Sequence, residues 1–122
     1  MLENVIVLGA SDKPDRYSNK AIKMLLEKGH TPFPVHPKLT EIDGLKVYAS
    51  LEDIKDIKVD TITVYVNPEI SNSLLDAILA INPKRVIFNP DTENPELEAK
   101  LEEADIETIQ ACTLVMLSTG QF

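Results

Sequence analysis

The chain has 122 residues, of which 43% are hydrophobic and 26% are charged, and its formal net charge at pH 7 is −8. This composition is typical of one globular domain and disfavours disordered and fibrous classes. The acidic charge argues against nucleic-acid and anionic-membrane partners, because polyphosphate surfaces attract a basic field. Residues 1–48 carry a net charge of +1 and residues 49–122 carry −9, so we expect an anionic ligand to bind the first part.

The sequence carries no pattern for membrane insertion, secretion or disulfide formation. No apolar run approaches the roughly 18 residues that span a bilayer, and the first residues lack a signal-peptide pattern. Cys112 is the single cysteine, and the two histidines, His30 and His36, do not have zinc-ligand spacing. We therefore expect a cytoplasmic protein with one domain over residues 1–122 and no metal site.

The amino-terminal segment predicts a strand, a loop and a helix. The apolar residues 5–8 end at Gly9, as in a buried parallel strand that runs into a turn. A loop follows through Tyr17, and Ser18 is predicted to cap a helix that ends near Gly29. This helix carries apolar residues at helical spacing: Ala21, Ile22, Leu25 and Leu26.

Four further strands are predicted along the chain. The second strand runs to residue 36, and Pro32 and Pro34 remove two of its amide donors, so one of its edges should be poorly paired. The other strands are predicted at residues 61–66, 85–88 and 106–109, with helices that begin at Pro68 and Pro95 and a short helix after residue 112.

Five strands that alternate with helices predict a fold class. The pattern indicates a single Rossmann-like, doubly wound α/β domain, with a five-stranded parallel sheet and helices on both faces. The strand order 3-2-1-4-5 is favoured, and the flavodoxin-like order 2-1-3-4-5 is the alternative.

Ligands of doubly wound sheets bind at the carboxyl ends of the strands, where the strand order reverses. In this chain that edge comprises residues 9–18, 36–38, 67–68, 89–90 and 111–113. The loop 9–18 is the best candidate, because Gly9 permits a tight turn, Ser11 offers a hydroxyl and the helix directs its first amides toward an anion. The alternative is that Gly9 only turns the chain and Ser18 only caps the helix.

The loop and the end of the second strand limit the choice of cofactor. The three-glycine dinucleotide fingerprint is missing, because Ser11 and Pro14 stand at the second and third glycine positions. The second strand ends in residues 36–38 and not in the acidic residue that binds the ribose of NAD. NADP and coenzyme A fit better, because both carry an additional phosphate. Arg16 is expected at the diphosphate, while Lys38 is either a ribose-phosphate contact or an ordinary solvated lysine.

No complete catalytic set can be assembled from the sequence. His36 is a candidate general base by residue type, but no nucleophile with an orienting carboxylate can be assigned around it. A position at the cofactor edge or a structural role is favoured. Cys112 follows the fifth strand and is expected to be a small buried apolar residue.

Several short sequence elements are found along the chain. No single element is diagnostic of a protein family, but their order and spacing taken together are specific. The elements are Gly9-Ala10-Ser11 with Arg16 and Ser18, Pro34-Val35 with Pro37, Glu41-Ile42 with Gly44, Tyr48 with Ser50-Leu51 and Asp53-Ile54, Val59-Asp60, Pro68-Glu69, and Asn94 with Glu96. In these elements, over nearly its whole length, the chain resembles the family of small stand-alone CoA-binding proteins. That family is similar to the amino-terminal domain of the α subunit of succinyl-CoA ligase.

The resemblance implies roles for four segments. The loop 9–18 would hold the diphosphate, residues 36–38 would meet the ribose phosphate, residues 67–68 would border the adenine and residues 89–90 would face the pantetheine. The cofactor-binding residues predicted in this way are Gly9, Ala10, Ser11, Lys13, Arg16, Tyr17, Ser18, His36, Pro37, Lys38, Asn67, Pro68, Asn89 and Pro90.

These observations together predict a module that binds coenzyme A or an acyl-CoA and has no catalytic activity of its own. Its expected partner is a small-molecule nucleotide cofactor, and the sequence does not determine whether the module also binds a protein. The alternative is an NADP-dependent oxidoreductase, or an acyl-CoA-processing enzyme that acts with a partner chain.

Overall fold

Strands and helices alternate along the chain in the computed structural model, which describes all 122 residues. The strands are β1 (Asn4–Leu8), β2 (Thr31–Val35), β3 (Glu41–Ile42), β4 (Leu45–Lys46), β5 (Thr61–Val64), β6 (Arg85–Phe88) and β7 (Glu107–Gln110). The helices are α1 (Tyr17–Glu27), α2 (Pro68–Asn72), α3 (Leu75–Ile81), α4 (Pro95–Glu103) and α5 (Thr113–Ser118), with a 3-10 turn at Leu51–Asp53. The helix predicted from Pro68 is thus divided into α2 and α3.

Five of the strands form one parallel sheet in the order β2-β1-β5-β6-β7, and β3 and β4 form a separate antiparallel hairpin. This confirms the α/β class and the five-stranded parallel sheet. Counted along the chain as sheet strands one to five, the order is 2-1-3-4-5. The sheet therefore has the flavodoxin-like alternative order rather than the favoured 3-2-1-4-5, and its strand order reverses between β1 and β5.

Two prolines explain why β2 lies at the edge of the sheet. The backbone groups of Thr31 and Val35 hydrogen-bond to the β1 side. Because backbone groups alternate in direction along a strand, Pro32 and Pro34 face the outer edge, where neither has an N–H to donate. Tyr48 covers part of this edge by donating its N–H to the Pro34 carbonyl oxygen over 2.9 Å. Only this short bridge forms at the outer edge of β2, and β5 pairs with the other side of β1.

The sheet separates two apolar layers, because its central strands are buried on both faces. Val5 and Val7 of β1 face the layer that contains α1, α5 and the hairpin. Ile6 and Leu8 face the layer that contains α3 and α4. The predicted placement of helices on both faces is confirmed.

Helix α1 begins two residues earlier than the predicted cap implies. Arg16 occupies its N-cap position with φ −78° and ψ 141°, and the Arg16 side chain makes no capping hydrogen bond. Ser18 lies inside the first turn, so the predicted cap at Ser18 is wrong. Helices α2 and α4, in contrast, are capped by the side chains of Asn67 and Asn94. The first amide groups of α1 are therefore left without a side-chain partner.

A polar cluster closes the amino-terminal edge of the sheet. Arg85 donates a hydrogen bond to Thr61 Oγ1 over 2.8 Å and forms a 3.3 Å salt bridge with Glu3. The backbone N–H of Glu3 donates to His30 Nδ1 over 3.0 Å. Burial, the largest influence on His30, lowers the pKa of its imidazole below the ordinary value of 6.5.

The lowered pKa of His30 predicts that the protein loses stability as the pH falls from 7.5 to 5. The unfolded chain takes up the His30 proton at a higher pH than the folded chain, so this contribution is complete above pH 6.5 and is lost as the pH falls through the folded pKa. Thermal unfolding across this range measures the effect, and His30→Gln should flatten the dependence. An equally steep dependence in the variant would contradict the role of His30.

Candidate functional site

A cleft of about 890 Å³ opens at the carboxyl-terminal edge of the sheet. It is lined by Gly9, Ala10, Ser11, Asp12, Lys13, Asp15, Arg16, Tyr17, Ser18, Lys20, His36, Leu39 and Tyr65. These residues come from the loop after β1, the first turn of α1, the segment after β2 and the end of β5. The cleft thus lies where the strand order reverses, which is the expected position for a ligand in this fold.

Gly9 makes the turn that carries the loop over the end of β5. Its φ is +89°, a left-handed value that side chains rarely adopt. A Cβ atom here would lie 2.8 Å from Val66 Cγ1 and 3.1 Å from the backbone carbon of Tyr65. The N–H groups of Gly9 and Ala10 both donate to the Val35 carbonyl oxygen, over 3.2 and 3.0 Å. The loop is therefore held between β2 and β5.

Five residues that line the cleft have a backbone N–H that donates to no protein group: Ser11, Asp12, Asp15, Tyr17 and Ser18. Three belong to the loop, and two belong to the first turn of α1, where no preceding helical carbonyl is available. Unpaired N–H groups at the start of an 11-residue helix, together with the helix dipole, favour an anion. The backbone by itself therefore presents a group of free donors at the cleft.

Charged side chains of both signs surround this arrangement. Lys13, Arg16 and Lys20 contribute three positive charges, and Asp12 and Asp15 contribute two negative charges, which leaves a net charge of +1. All five side chains are exposed. An anion in the cleft therefore meets a small positive charge, in the part of the chain where the charge distribution predicts it.

His36 lines the cleft with its ring held by the turn after β2. Its Nδ1 accepts hydrogen bonds from the N–H groups of Lys38 and Leu39, each over 3.0 Å. Because Nδ1 is the acceptor, the proton of the neutral ring is on Nε2. His36 can thus donate one hydrogen bond to a ligand, which suits a contact at the cofactor edge better than a general base.

Eight of the fourteen predicted residues line the cleft. The six that do not are Pro37, Lys38, Asn67, Pro68, Asn89 and Pro90. The Lys38 side chain is exposed. The Asn67 side chain accepts a hydrogen bond from the N–H of Ile70 and so caps α2. The segments assigned to the adenine and the pantetheine therefore lie outside the cleft itself.

Asn89 connects β5, β6 and α5 and is 2% exposed. Its Nδ2 donates to Thr63 Oγ1 over 2.7 Å and to the Val64 carbonyl oxygen over 2.9 Å. Its Oδ1 accepts from the N–H of Thr113 over 2.9 Å. All of these bonds are internal, so Asn89 acts here as a structural residue.

The sequence pattern did not identify Tyr65 as a cleft residue. Tyr65 follows β5, and its hydroxyl is buried beside those of Thr63 and Thr113 without a hydrogen bond of acceptable geometry. Burial is the main cause that raises the pKa of Tyr65 to about 12, so the phenol stays protonated at neutral pH. The strand order was the missing information, because only 2-1-3-4-5 places the end of β5 beside Gly9. Asp12, Asp15, Lys20 and Leu39 were also not predicted.

Other kinds of site find little support in the chain. No group of three or more His, Cys, Asp or Glu side chains is arranged to hold a metal ion. No helix is both long enough and apolar enough to cross a membrane. Cys112 is a half-buried free thiol at the start of α5, and it does not line the cleft.

The sequence matches a family model described as a CoA binding domain, over residues 3–118. The chain belongs to the CoA-binding domain family. This assignment confirms the resemblance predicted from the short sequence elements. Within this CoA-binding domain, the residues that form the cleft all lie inside the matched segment.

Known proteins share the fold of this CoA-binding domain. A crystal structure of an uncharacterized protein is 43% identical, with a TM-score of 0.93 over 100% of this chain and 99% of that chain. The uncharacterized protein YneT of Bacillus subtilis (strain 168) is 35% identical over 63 residues, which are 52% of this chain and 46% of that protein. The match therefore spans about half the length of this curated relative.

A larger enzyme contains a similar fold. The dinucleotide-forming acetyl-coenzyme A synthetase 1 of Ca. Korarchaeum cryptofilum, solved with phosphate and ADP, has a TM-score of 0.75 at 23% identity. The comparison covers 89% of this chain and 25% of that chain. At this identity the likeness shows the fold alone.

Proposed function

We propose that the cleft binds coenzyme A or an acyl-CoA, with the diphosphate held by the loop after β1 and the first turn of α1. The observation that carries this proposal is the group of five unpaired N–H groups in a member of the CoA-binding domain family. A diphosphate has enough oxygen acceptors to satisfy several of them at once. The cleft volume, about 890 Å³, lies within the usual range of small-molecule sites.

Arg16 is the side chain best suited to add charge to these backbone donors. It lines the cleft, is exposed, and makes neither a capping bond nor a salt bridge, so its guanidinium is free for a ligand. A guanidinium can pair two phosphate oxygens at once, which a lysine ammonium does less specifically. Lys38, exposed next to His36, is proposed to meet the ribose phosphate of a ligand that extends beyond the cleft.

We propose binding without catalysis by this chain alone, because the cleft does not contain a nucleophile paired with a base. The Ser11 Oγ accepts the N–H of Lys13 over 3.1 Å, and the His36 Nδ1 is occupied by two N–H groups. No carboxylate hydrogen-bonds to the His36 ring to orient it as a base. A reaction on a bound acyl-CoA would therefore need groups from another chain.

Replacing Arg16 with alanine tests the proposed diphosphate contact. We expect the affinity for coenzyme A to fall by about tenfold to a hundredfold, or 1.5–3 kcal/mol, which is typical of a hydrogen bond to a charged group. Calorimetric titration measures the change. The free energy of unfolding should change by less than about 0.5 kcal/mol, because Arg16 is exposed.

Lys23→Ala is the matched control, because Lys23 is an exposed cation of α1 that does not line the cleft. Its affinity for coenzyme A should stay within about twofold of the wild type. Wild-type affinity in Arg16→Ala would show that the amides hold the diphosphate without this arginine. An equal loss in both variants would indicate a general effect of charge.

A further inference from the structure

We propose that Asn19 is a positioning residue for the anion site: it orients the peptide between Ser11 and Asp12, and Asp43 of the hairpin holds Asn19 in place. This inference rests on the proposed function, because it explains how one of the ligand-facing amides is held ready. No residue of the hairpin turn lines the cleft, so this role could not be recognised from the lining residues.

Asn19 makes two hydrogen bonds from a buried position in the first turn of α1, where it is 1% exposed. Its Nδ2 donates to the Ser11 carbonyl oxygen over 2.8 Å and to Asp43 Oδ2 over 3.3 Å. Both partners are acceptors only, so a reversed side-chain amide would set Oδ1 against two oxygens. Asn19 therefore uses its amide hydrogens to connect the loop to the hairpin.

The bond to Ser11 determines the direction of the next amide. A trans peptide is planar, and its carbonyl and N–H point in opposite directions. The Ser11 carbonyl points at Asn19, which does not line the cleft, so the Asp12 N–H points away from Asn19. Asp12 lines the cleft, and its N–H is one of the five without a protein partner. A reversed peptide would present a carbonyl oxygen to the anion instead of a donor.

Asp43 is fixed by the turn that contains it. Asp43 and Gly44 form the two-residue connection between β3 and β4, with φ values of 50° and 80°. These left-handed values are typical of a type I′ turn, for which the Asp-Gly pair is favoured. The hairpin is anchored by Ile42, which is 2% exposed in the layer shared with α1. The turn thus holds the Asp43 carboxylate against Asn19.

Three variants separate positioning of the peptide from a purely structural role. Asn19→Asp places a carboxylate against the Ser11 oxygen and Asp43. We expect this variant to have a lower Tm. We also expect its affinity to fall by at least about tenfold, both for coenzyme A and for inorganic pyrophosphate. Asp43→Asn keeps an acceptor oxygen for Asn19, so its affinity should stay within about twofold of the wild type.

The double variant Asn19→Asp/Asp43→Asn is the decisive one. The new amide at position 43 can donate to the new carboxylate at position 19, which restores the bond to the hairpin, but nothing donates to the Ser11 carbonyl. We expect the Tm to return to that of Asp43→Asn while the affinity for both probes stays at least about tenfold reduced. If Tm and affinity recover together, Asn19 is a structural residue only and the proposal is wrong.

A crystal structure of the double variant without ligand tests the same point independently of binding. We expect the peptide between Ser11 and Asp12 to be rotated relative to the wild type. If the peptide keeps its orientation, the positioning role of Asn19 is overturned, whatever the affinities are. If the peptide rotates but the wild-type protein binds neither coenzyme A nor pyrophosphate, the positioning role stands and the proposed function fails.

Discussion

Replacing Asn89 with alanine should lower the free energy of unfolding by about 3–4 kcal/mol, because each buried group left without a partner costs about 1–3 kcal/mol. The change removes the partners of the Val64 carbonyl oxygen and the Thr113 N–H, and one partner of the Thr63 hydroxyl. At 2% exposure, Asn89 leaves a space that water reaches poorly. Chemical denaturation measures the loss.

Asn67→Ala is the matched control for this substitution. Asn67 is exposed, and its side chain accepts one hydrogen bond as the cap of α2, so its loss should cost about 0.5–2 kcal/mol. If Asn89→Ala were no more destabilising than Asn67→Ala, the bonds that connect β5, β6 and α5 would not contribute as described. Neither variant removes a residue that lines the cleft.

Replacing Gly9 with alanine should destabilise the protein by about 2–4 kcal/mol, because two costs add. A side chain at φ +89° is strained, and its Cβ would meet Val66 Cγ1 at 2.8 Å and the Tyr65 backbone carbon at 3.1 Å. The Val66 side chain can move, but the Tyr65 backbone is held by its N–H bond to the Leu8 carbonyl oxygen. The loop should therefore shift and weaken coenzyme A binding.

Gly44→Ala separates the two costs, because Gly44 has a similar φ of +80° and open space around its Cβ position. It should be destabilising by about 1 kcal/mol, from backbone strain alone. The free energies of unfolding of both variants, measured in denaturant, give the contribution of the close contact by difference. Equal losses in the two variants would show that the loop has room to move away from β5.

The α/β fold could be predicted because local pattern and tertiary structure agree in this chain. The buried strands are continuous apolar or β-branched segments, and the prolines at positions 68 and 95 begin helices as predicted. The strand order was harder to predict. Pro32 and Pro34 already indicated a poorly paired edge, and a strand with such an edge cannot lie between two others, as strand two does in 3-2-1-4-5. The two prolines therefore favour the observed order 2-1-3-4-5, in which strand two lies at the edge of the sheet.

The residues of the candidate site could be predicted only where they are close together in the sequence. The loop after β1 and the start of α1 are contiguous, so Gly9, Ser11 and Arg16 were identified from the sequence and line the cleft. Tyr65 comes from β5, and its place beside the loop depends on the strand order. Asn19 was missed because its contacts, to Ser11 and the distant Asp43, are tertiary.

The cap of α1 shows why a residue type does not determine its role. Serine is a common N-cap, but Ser18 lies within the helix and Arg16 occupies the cap position. The result is a helix start with free amide groups, which suits a ligand that supplies the missing acceptors. The usual preference for a capping side chain at a helix start is thus not followed at α1, where the anion site is proposed.

Titration of the ¹⁵N-labelled protein with coenzyme A, followed by the amide resonances, tests the central claim most directly. We predict saturable binding of one ligand per chain, with the largest shifts at the amides of Ser11, Asp12, Asp15, Tyr17 and Ser18, because these donors line the cleft and have no protein partner. NAD should cause much smaller shifts at the same concentration. No shifts at saturating coenzyme A, or shifts confined to residues distant from the cleft, would contradict the claim.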